Sequence, residues 1–417
     1  MTRPRENPAA EEAQLLAGLR VTELTDERGF LAGKIMADLG AEVTKIEPPA
    51  GDPERAYGPW LGGVEKPEAS LPWLAMNTGK RSLALDLRHP AGMQVLNALL
   101  EKTDVLLLSL GVAWAEGMGL DWPRLHADFP RLVCCSITPF GLEGPRAGDD
   151  GHDLVVVASG GNAWMTGDAE GPPLRCSMPS SYYHAAPEAV VGTLQALHAR
   201  ESDGLGRLVD LSMQECQLAT LITAAGQQAL GRGRGQRSGA RTGASREIWR
   251  AADGWISFGL RGGPARAANL RAVCSWMEEC GKLASTLRDQ DWDSWDPGAV
   301  DGEELRGVEA AFEKFFSTMT MTELYQQALK RRVLLAPCNG ASEILAQPQL
   351  RSREMFVTID YPRLGASVEH PALFAMLGGS RAGLRRAPLP GEHNPAILDE
   401  LNLSDEQRQL LMDEGVA

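Results

Sequence analysis

Hydrophobic and polar residues follow two different periods along the first third of the chain. Short apolar runs are typical of buried strands, and apolar residues spaced three or four apart are typical of amphipathic helices. The strands are predicted at 19–24, 42–47, 82–87, 104–110 and 132–137. The helices are predicted between them, at 30–39, 90–101 and 121–128. Because strands and helices alternate, the pattern predicts an α/β fold with a parallel, Rossmann-like sheet covered by helices on both faces.

The regular alternation ends after residue 138. A glycine-rich stretch at 139–181 is predicted to be loop, and a segment of that length without regular structure is usually functional. A helix at 185–200, a strand at 207–211 and a long helix at 214–230 then complete the region.

These changes in pattern predict three segments. Residues 1–230 form the N-terminal part of a large α/β domain, residues 231–319 a linker and a small α+β domain, and residues 320–417 a return segment that completes the large domain. Thr320 and Glu323 have the spacing of a capping box, which predicts a helix at the start of the return segment.

The composition narrows the class of protein. The formal net charge is −14, which opposes non-specific attraction to nucleic acid or to an anionic membrane. No apolar run approaches the roughly 18 residues of a membrane span, and the polar start lacks the order of a secretory signal, so a cytoplasmic protein is expected. The seven cysteines include no CxxC pair and the seven histidines are scattered, which predicts neither a disulfide framework nor a metal site.

One segment departs from the acidic balance. Residues 231–250 place several arginines among glycines and small polar residues: Arg232, Arg234, Arg237, Arg241, Arg246 and Arg250. We interpret the segment as a mobile loop with a positive local field. Two roles remain open for it, a solvated connector or a binding site for an anionic ligand or an acidic partner subunit.

A series of short strings runs from residue 39 to residue 394. They are LGAEVTKIE with a following GD and R (39–55), NTGKRSLALDL (77–87), MGL (118–120), PRL (130–132), SITPFGLEGP (136–145), GHD (151–153), TGDAEGPP (166–173), GLGRLVDLSM (204–213) and APLPGEHN (387–394). In this order the strings resemble those of the class III CoA-transferases, the CaiB/BaiF-like family of formyl-CoA transferase and α-methylacyl-CoA racemase. Any one string is weak, but their common order makes the resemblance specific.

The resemblance implies a fold and a reaction. Family members are ring-shaped protomers, each with a large α/β domain and a small domain, interlocked with a partner subunit. They move coenzyme A between a CoA thioester and a carboxylic acid, with CoA as a co-substrate and no covalently bound cofactor. An enzyme aspartate attacks the thioester and forms a mixed anhydride, which splits one difficult acyl transfer into easier steps.

The catalytic aspartate of the family is missing here. Counted back from the helix string VGTLQAL at 191–197, its position falls on Tyr182, with Ser181 as the neighbouring alternative. Neither residue is a carboxylate, and a tyrosine side chain is protonated at neutral pH. The bulky Tyr183 and His184 follow where the family has small residues. The resemblance therefore implies that this chain lacks the nucleophile.

Residues that would bind CoA depart from the family pattern in the same chain. The nucleotide-contacting turn ENFxPG corresponds to LSLGVA at 108–113, and an arginine soon after it corresponds to Gly117. The family's glutamine before the first helix corresponds to Glu27, which would repel a phosphate. Leu85 and Arg88 keep the character of CoA-contacting residues, and we predict that they mark a vestigial CoA site.

His152 and Asp153 are the fallback candidates for catalysis. His152 lies in a GHD string, which supplies a proton-transfer base in the racemase branch, but racemisation needs a second group, the missing aspartate. Asp153 is expected to cap the chain that enters 154–157. Further carboxylates, whose neighbours predict ordinary loop, turn or surface positions, are Asp149, Asp150, Asp168 and Glu188.

We therefore predict a non-catalytic subunit whose homologous partner supplies the aspartate, in a heterodimer or a heterotetramer. Within the family, the chain most resembles the inactive subunits of succinyl-CoA:(R)-benzylsuccinate CoA-transferases, which act in anaerobic toluene degradation. Two alternatives remain open. One is a competent CoA-transferase or acyl-CoA racemase that uses His152 or Asp153, and the other is a CoA-independent scaffold protein.

Overall fold

The computed structural model describes residues 14–231, 237–264, 266–376, 381 and 383–417. Arg232 and Arg234 of the arginine segment lie outside the described residues. The described chain divides into two compact units. The first comprises the residues up to Asn162 together with Arg175–Leu230 and Pro348–Ala417, and the second comprises Ala163–Leu174 and Gly231–Gln347. The chain thus rejoins the first unit at Pro348.

A parallel sheet forms the centre of the first unit. Its strands are β1 (Arg20–Leu24), β2 (Glu42–Glu47), β3 (Arg81–Ala84), β4 (Val105–Leu108), β5 (Val133–Thr138) and β6 (Leu208–Ser212). The six strands lie in the order β3-β2-β1-β4-β5-β6, and each neighbouring pair is parallel. In the register, Val21 pairs with Val43 on one side and with Val105 on the other. The predicted α/β class with a parallel sheet is confirmed.

Helices pack on both faces of this sheet. The helices up to residue 230 are α1 (Phe30–Asp38), α2 (Leu71–Met76), α3 (Pro90–Leu100), α4 (Val112–Gly117), α5 (Trp122–Asp128), α6 (Asp153–Ser159), α7 (Asn162–Met165), α8 (Ser180–Asp203), α9 (Met213–Gln217) and α10 (Ala224–Ala229). Helices α3 and α5 lie in one core, and α1 and α8 lie in the other. Adjacent Cys134 and Cys135 of β5 point into the two different cores on either face, as strand alternation requires. Among the described helices, none combines the length and the apolar character needed to span a bilayer.

The start of α8 differs most from the predicted elements. The sequence pattern predicts a helix from residue 185, but α8 begins at Ser180 and continues through Pro187. The stretch at 139–181, predicted as loop, also contains α6 and α7. Positions 181 and 182 therefore lie in the first turn of a long helix and not in a loop.

The long helix predicted at 214–230 is also wrong. The chain forms α9, then a 3₁₀ turn at Leu218–Leu221, then α10. Within this turn the Thr220 hydroxyl donates to the carbonyl oxygen of Gln217 at 2.8 Å. Side-chain hydrogen bonds of this kind compete with the helical backbone pattern and disfavour a continuous helix.

The second unit is built around an aromatic core. Its elements are β7 (Arg241–Thr242), β8 (Ser245–Arg246), β9 (Ile248–Arg250), β10 (Trp255–Phe258), α11 (Ala267–Glu279), α12 (Ser285–Arg288), α13 (Gly302–Phe316), α14 (Met321–Arg331), β11 (Leu335–Pro337) and α15 (Ala341–Ala346). The rings of Phe258 and Phe312 stack with their centroids 5.6 Å apart. The predicted capping box is confirmed, since Thr320 and Glu323 exchange hydrogen bonds at the start of α14.

The described part of the arginine segment is folded, which corrects the prediction of a mobile loop for residues 237–250. The Arg237 guanidinium donates to three backbone carbonyls, those of Trp164, Asp168 and Gly171. Two ion pairs also tie the segment to α13. Arg241 contacts Glu309 and Arg246 contacts Glu313, each at 2.7 Å. These arginines stabilise the second unit itself.

The last segment returns to the first unit. Its elements are α16 (Pro348–Ser352), β12 (Phe356–Tyr361), β13 (Ala366–Pro371), α17 (Asn394–Glu400) and α18 (Asp405–Asp413). The string at 387–394 packs along β3, where the Gly391 N–H donates to Ser82 Oγ and Asn394 Oδ1 accepts from the Ala84 N–H. This string therefore closes the β3 edge of the sheet.

Three buried ion pairs hold the β1 to β3 side of the sheet, and we call them the ion-pair network. They are Glu23 with Lys80, Asp52 with Lys45 and Glu47 with Arg55, each at 2.8 Å. All six side chains are at most 5% exposed. Five of the six residues, all except Glu23, lie in the strings at 39–55 and 77–87. These two strings therefore encode buried electrostatic support for the fold.

Candidate functional site

The strand order creates a crevice between β1 and β4. In an open parallel sheet, ligands bind beyond the carboxyl ends of the strands at the point where the strand order reverses, and here that point lies between β1 and β4. Asp26, Glu27 and Arg28 follow β1, and Ser109 follows β4. The Ser109 hydroxyl donates to Asp26 Oδ1 at 2.8 Å. This hydrogen bond ties the two sides of the crevice together.

Helix α8 delivers its first turn to this crevice. Ala185, Ala186 and Ala189 are 0% exposed and pack in the same core as the buried side chains of β4 and β5. Small side chains let a helix lie close to a sheet, so α8 brings Ser181 and Tyr182 next to the residues that follow β1. Gly29 permits a similar close approach at the start of α1, because a Cβ there would lie 2.5 Å from Thr25 Cγ2.

Tyr182 is buried, and its hydroxyl has two hydrogen-bond partners. The hydroxyl donates to Glu27 Oε1 at 2.9 Å and accepts from the backbone N–H of Asp153 at 3.2 Å. The residue is 5% exposed. The phenol therefore joins three elements, the end of β1 and the starts of α6 and α8.

Ser181 and Asp153 form a second contact beside it. The backbone N–H and the hydroxyl of Ser181 both donate to Asp153 Oδ1, at 2.9 and 2.8 Å. Asp153 thus satisfies the start of α8, which corrects the expectation that it caps its own chain at 154–157. Its other oxygen, Oδ2, is buried without a hydrogen-bond partner among the described residues. We call Glu27, Asp153, Ser181 and Tyr182 the Tyr182 cluster.

The electrostatic environment keeps the phenol neutral. Burial and the neighbouring Glu27 carboxylate raise the pKa of Tyr182 well above its ordinary value. Arg28 contacts Asp26 and, at 3.3 Å, Asp150, so its positive charge is already engaged. At neutral pH position 182 therefore presents a protonated phenol and no ionised group.

The family of this chain is shown by its sequence. The sequence model of CoA-transferase family III matches residues 16–394, which spans both compact units. This chain belongs to CoA-transferase family III. The strings that carry the resemblance therefore have a family origin.

Individual relatives agree with this family III membership. The chain is 35% identical over 388 residues to the succinyl-CoA:(R)-benzylsuccinate CoA-transferase subunit BbsE of Thauera aromatica, covering 91% of this chain and 93% of that protein. It is 28% identical over 419 residues to a formyl-CoA:oxalate CoA-transferase of Streptomyces coelicolor, covering 97% and 99%. A CaiB/BaiF family protein from Brucella suis has a similar solved structure, with a TM-score of 0.81 at 25% identity, covering 93% of this chain and 100% of that one.

The positions predicted to contact CoA follow two different strands of the sheet, β3 and β4, in this family III chain. Leu85 is buried in the core beneath α3, and the Arg88 side chain is 84% exposed and pairs with Asp86 at 3.0 Å. Both follow β3, which lies two strands away from β1. A cavity of about 170 Å³ opens beside the 108–113 turn, and its charged lining residues are Glu116 and Asp121. Acidic side chains there oppose the binding of phosphate groups.

The two fallback candidates for catalysis, His152 and Asp153, differ in burial and in their contacts. His152 is exposed and precedes α6 without capping it through its side chain, whereas Asp153 is 7% exposed and touches Ser181. Two further carboxylates pair with arginines: Asp149 with Arg146 at 2.8 Å and Asp150 with Arg28 at 3.3 Å. Two others are exposed, Asp168 and Glu188. Of all these groups, the structure brings only Asp153 into contact with Tyr182.

Two residues at the crevice were not predicted as site residues from the sequence. Asp26 and Ser109 connect the ends of β1 and β4. A signal for Asp26 exists, because a charged run directly after the first strand of an α/β fold lies where ligands usually bind. Ser109 carries no such signal, since it reads as part of an altered turn.

Proposed function

We propose that this chain is a non-catalytic subunit of a class III CoA-transferase and that a homologous partner supplies the catalytic aspartate. The single observation that carries the proposal is Tyr182, a buried phenol with both hydrogen-bonding functions occupied at the position of the nucleophile. The family reaction needs an ionised carboxylate that attacks a thioester. A protonated phenol that donates to Glu27 does not meet this need.

The proposal includes the assembly. In it, the chain is a ring-shaped protomer with a large domain and a small domain, interlocked with its partner in a cytoplasmic heterodimer or heterotetramer. Support comes from the relative BbsE, which is named as a subunit. A chain that folds together with its partner stabilises the partner by mass action even without a site of its own.

The proposed substrates are succinyl-CoA and a dicarboxylic acid such as (R)-benzylsuccinate, with CoA as co-substrate. This part rests on the name of BbsE, to which the chain is 35% identical. The vestigial CoA contacts at Leu85 and Arg88 belong to the same proposal, in which this chain binds CoA weakly or not at all.

Transfer assays on the purified chain test the proposal. With succinyl-CoA and (R)-benzylsuccinate, we expect no benzylsuccinyl-CoA above the protein-free background, measured by chromatography of the CoA thioesters. Adding a homologous subunit that retains the aspartate is expected to give transfer. This subunit is also expected to co-purify with the chain. Robust transfer by the chain alone would contradict the proposal.

One observation favours a second candidate, an active enzyme that uses Asp153. Its Oδ2 atom is buried and has no hydrogen-bond partner among the described residues, as an attacking oxygen would need. Hydroxylamine trapping after incubation with succinyl-CoA separates the two candidates. A hydroxamate on Asp153 that disappears in Asp153→Asn establishes the active enzyme, and its absence from the unmodified chain favours the non-catalytic subunit.

A further inference from the structure

Glu27 and Tyr182 contact each other although 155 residues separate them in the chain. One follows β1 and the other lies in the first turn of α8, so their contact closes the crevice at the β1 and β4 strand ends. The phenol is the hydrogen-bond donor and Glu27 Oε1 the acceptor, at 2.9 Å. The two side chains therefore form a complementary pair, one neutral donor and one carboxylate acceptor.

An aspartate at position 182 would meet a different neighbour. Its side chain is shorter than that of tyrosine, so its carboxylate would not touch Glu27, but it would lie within roughly 6 Å of the Glu27 carboxylate, where a like charge raises the pKa of a carboxyl group. The nearby Arg28 guanidinium would offset this repulsion only in part, because it already contacts Asp26 and Asp150. Asp153, whose Oδ1 is held by Ser181, adds a further negative charge nearby.

We propose that Glu27 is a positioning residue that excludes an ionised carboxylate from position 182, so that a nucleophile can return there only when both residues are changed. The inference rests on the proposed function, in that the site as it stands supplies no nucleophile. It adds that the inactivity is fixed by a pair of residues and not by Tyr182 alone.

A double-mutant cycle on the full-length chain tests this pair. In the unmodified background, Glu27→Gln keeps an acceptor for the phenol but removes its charge, so the melting temperature is expected to stay equal or fall. In the Tyr182→Asp background, Glu27→Gln removes a repulsion between two carboxylates. There we expect the melting temperature at pH 8 to rise by about 2–4 °C.

The pH dependence gives the sign of the effect. In Tyr182→Asp the repulsion from Glu27 raises the pKa of the introduced carboxyl group in the folded state, so the folded protein binds more protons than the unfolded chain above about pH 4. Its stability must then fall as the pH rises from 5 to 8. In Glu27→Gln/Tyr182→Asp this fall is expected to be smaller, and the two variants should melt at similar temperatures near pH 4.5.

Two controls keep the test decisive. Tyr182→Asn removes the phenol without adding a charge, so Glu27→Gln is not expected to stabilise it. Glu143→Gln changes an exposed residue outside the crevice and should have the same small effect in every background. If Tyr182→Asp fails to fold, recovery of folding by Glu27→Gln supports the inference, whereas failure of both variants beside a folded Tyr182→Asn contradicts it.

Activity separates this inference from the proposed function. An equal effect of Glu27→Gln on the melting temperatures of the Tyr182→Asp and Tyr182→Asn variants at pH 8 would overturn the inference and leave the proposed function standing. Hydroxamate formation by the unmodified chain would overturn the proposed function, whatever the melting temperatures. Hydroxamate formed by Tyr182→Asp as strongly as by the double variant would also overturn the inference, because an ionised nucleophile would then stand beside Glu27.

Discussion

The ion-pair network and the Tyr182 cluster are both buried polar groups of the first unit, but their carboxylates are stabilised in opposite ways. In the network each carboxylate contacts a cation, as Glu23 contacts Lys80 at 2.8 Å. In the cluster the carboxylates accept from neutral donors, as Glu27 accepts from the Tyr182 phenol and Asp153 from the Ser181 hydroxyl and N–H. Five of the six network residues lie in the strings at 39–55 and 77–87, whereas Tyr182 lies outside the strings.

This difference predicts that the fold tolerates substitutions in the cluster better than substitutions in the network. A buried charge that loses its partner destabilises a protein by about 3–5 kcal/mol, so single changes within the network threaten folding. A phenol that bridges Glu27 and the Asp153 N–H leaves no such unpaired charge. The strings that hold the network therefore support the fold of the first unit, and the cluster does not depend on them for its charges.

The largest expected effect is the loss of a cation from the network. Lys80 Nζ contacts Glu23, Asn77 Oδ1 and the Phe30 carbonyl oxygen, and burial lowers its pKa to about 8. Lys80→Met leaves Glu23 buried without its cation. We expect a loss of about 3–5 kcal/mol in the free energy of unfolding at pH 7, measured by urea titration.

A double variant sharpens this prediction. Replacing both partners, as in Glu23→Met/Lys80→Met, removes the unpaired charge and is expected to recover most of the lost stability. Arg271→Met, which removes the cation of the exposed Arg271–Asp293 pair, should give no measurable change. If the single and double variants at Glu23 and Lys80 are equally unstable, packing and not charge supports this side of the sheet.

A smaller effect is expected from the cluster. Tyr182→Phe removes the hydroxyl between Glu27 and the Asp153 N–H, and unsatisfied buried groups of this kind cost about 1–3 kcal/mol. The loss should be smaller than in Lys80→Met, because the Glu27 carboxylate is only partly buried. A loss as large as that of Lys80→Met would mean that the two regions do not differ as described.

The pH dependence of the same variant gives a second test. The pKa of Tyr182 is raised in the folded state, first by burial and then by Glu27, so the phenol stabilises the fold below the unfolded pKa of about 10. As the pH rises above 10, the unfolded tyrosine ionises first and this contribution is lost. Tyr182→Phe should therefore lose less stability between pH 9 and 11 than the unmodified chain, whereas Tyr57→Phe, at an exposed tyrosine, should not differ from it.

Much of the fold could be predicted from local pattern, because strands buried on both faces are apolar throughout. The run Val105–Leu108 of β4 is an example. The start of α8 could not be predicted, since the residue before it is Pro179 and provides no side-chain cap. The N–H of Ser181 is instead satisfied by Asp153, 28 residues earlier in the chain, and local pattern contains no signal for such a contact.

For the candidate site too, one part could be predicted from the sequence and another part could not. Counting back from the string at 191–197 selects Tyr182, because both lie on one helix. The contact between Tyr182 and Glu27 joins segments 155 residues apart and depends on the strand order of the sheet. Sequence strings therefore select a candidate residue but do not identify its partner.

The smallest expected effect concerns Glu392, in the 387–394 string that closes the β3 edge. Hydrogen bonds from Arg386 and from the Leu389 N–H lower the pKa of Glu392 to about 2. A carboxylate with a lowered pKa stabilises the fold above its ordinary pKa of 4.5, and this contribution is lost as the pH falls toward 2. Since both side chains are partly exposed, solvent screening reduces the contribution to on the order of 1 kcal/mol.

Glu392→Gln is therefore expected to be about 1 kcal/mol less stable than the unmodified chain at pH 7, with the difference shrinking between pH 4.5 and 2. Urea titration at pH 7, 4 and 2.5 measures it, and added salt at pH 7 should reduce it because exposed charges are screened. The Lys80→Met effect should resist salt, since both of its charges are inaccessible to solvent. Equal salt sensitivity at the two positions would show that burial does not shield the Glu23–Lys80 pair from solvent ions, contrary to the difference described between buried and exposed pairs.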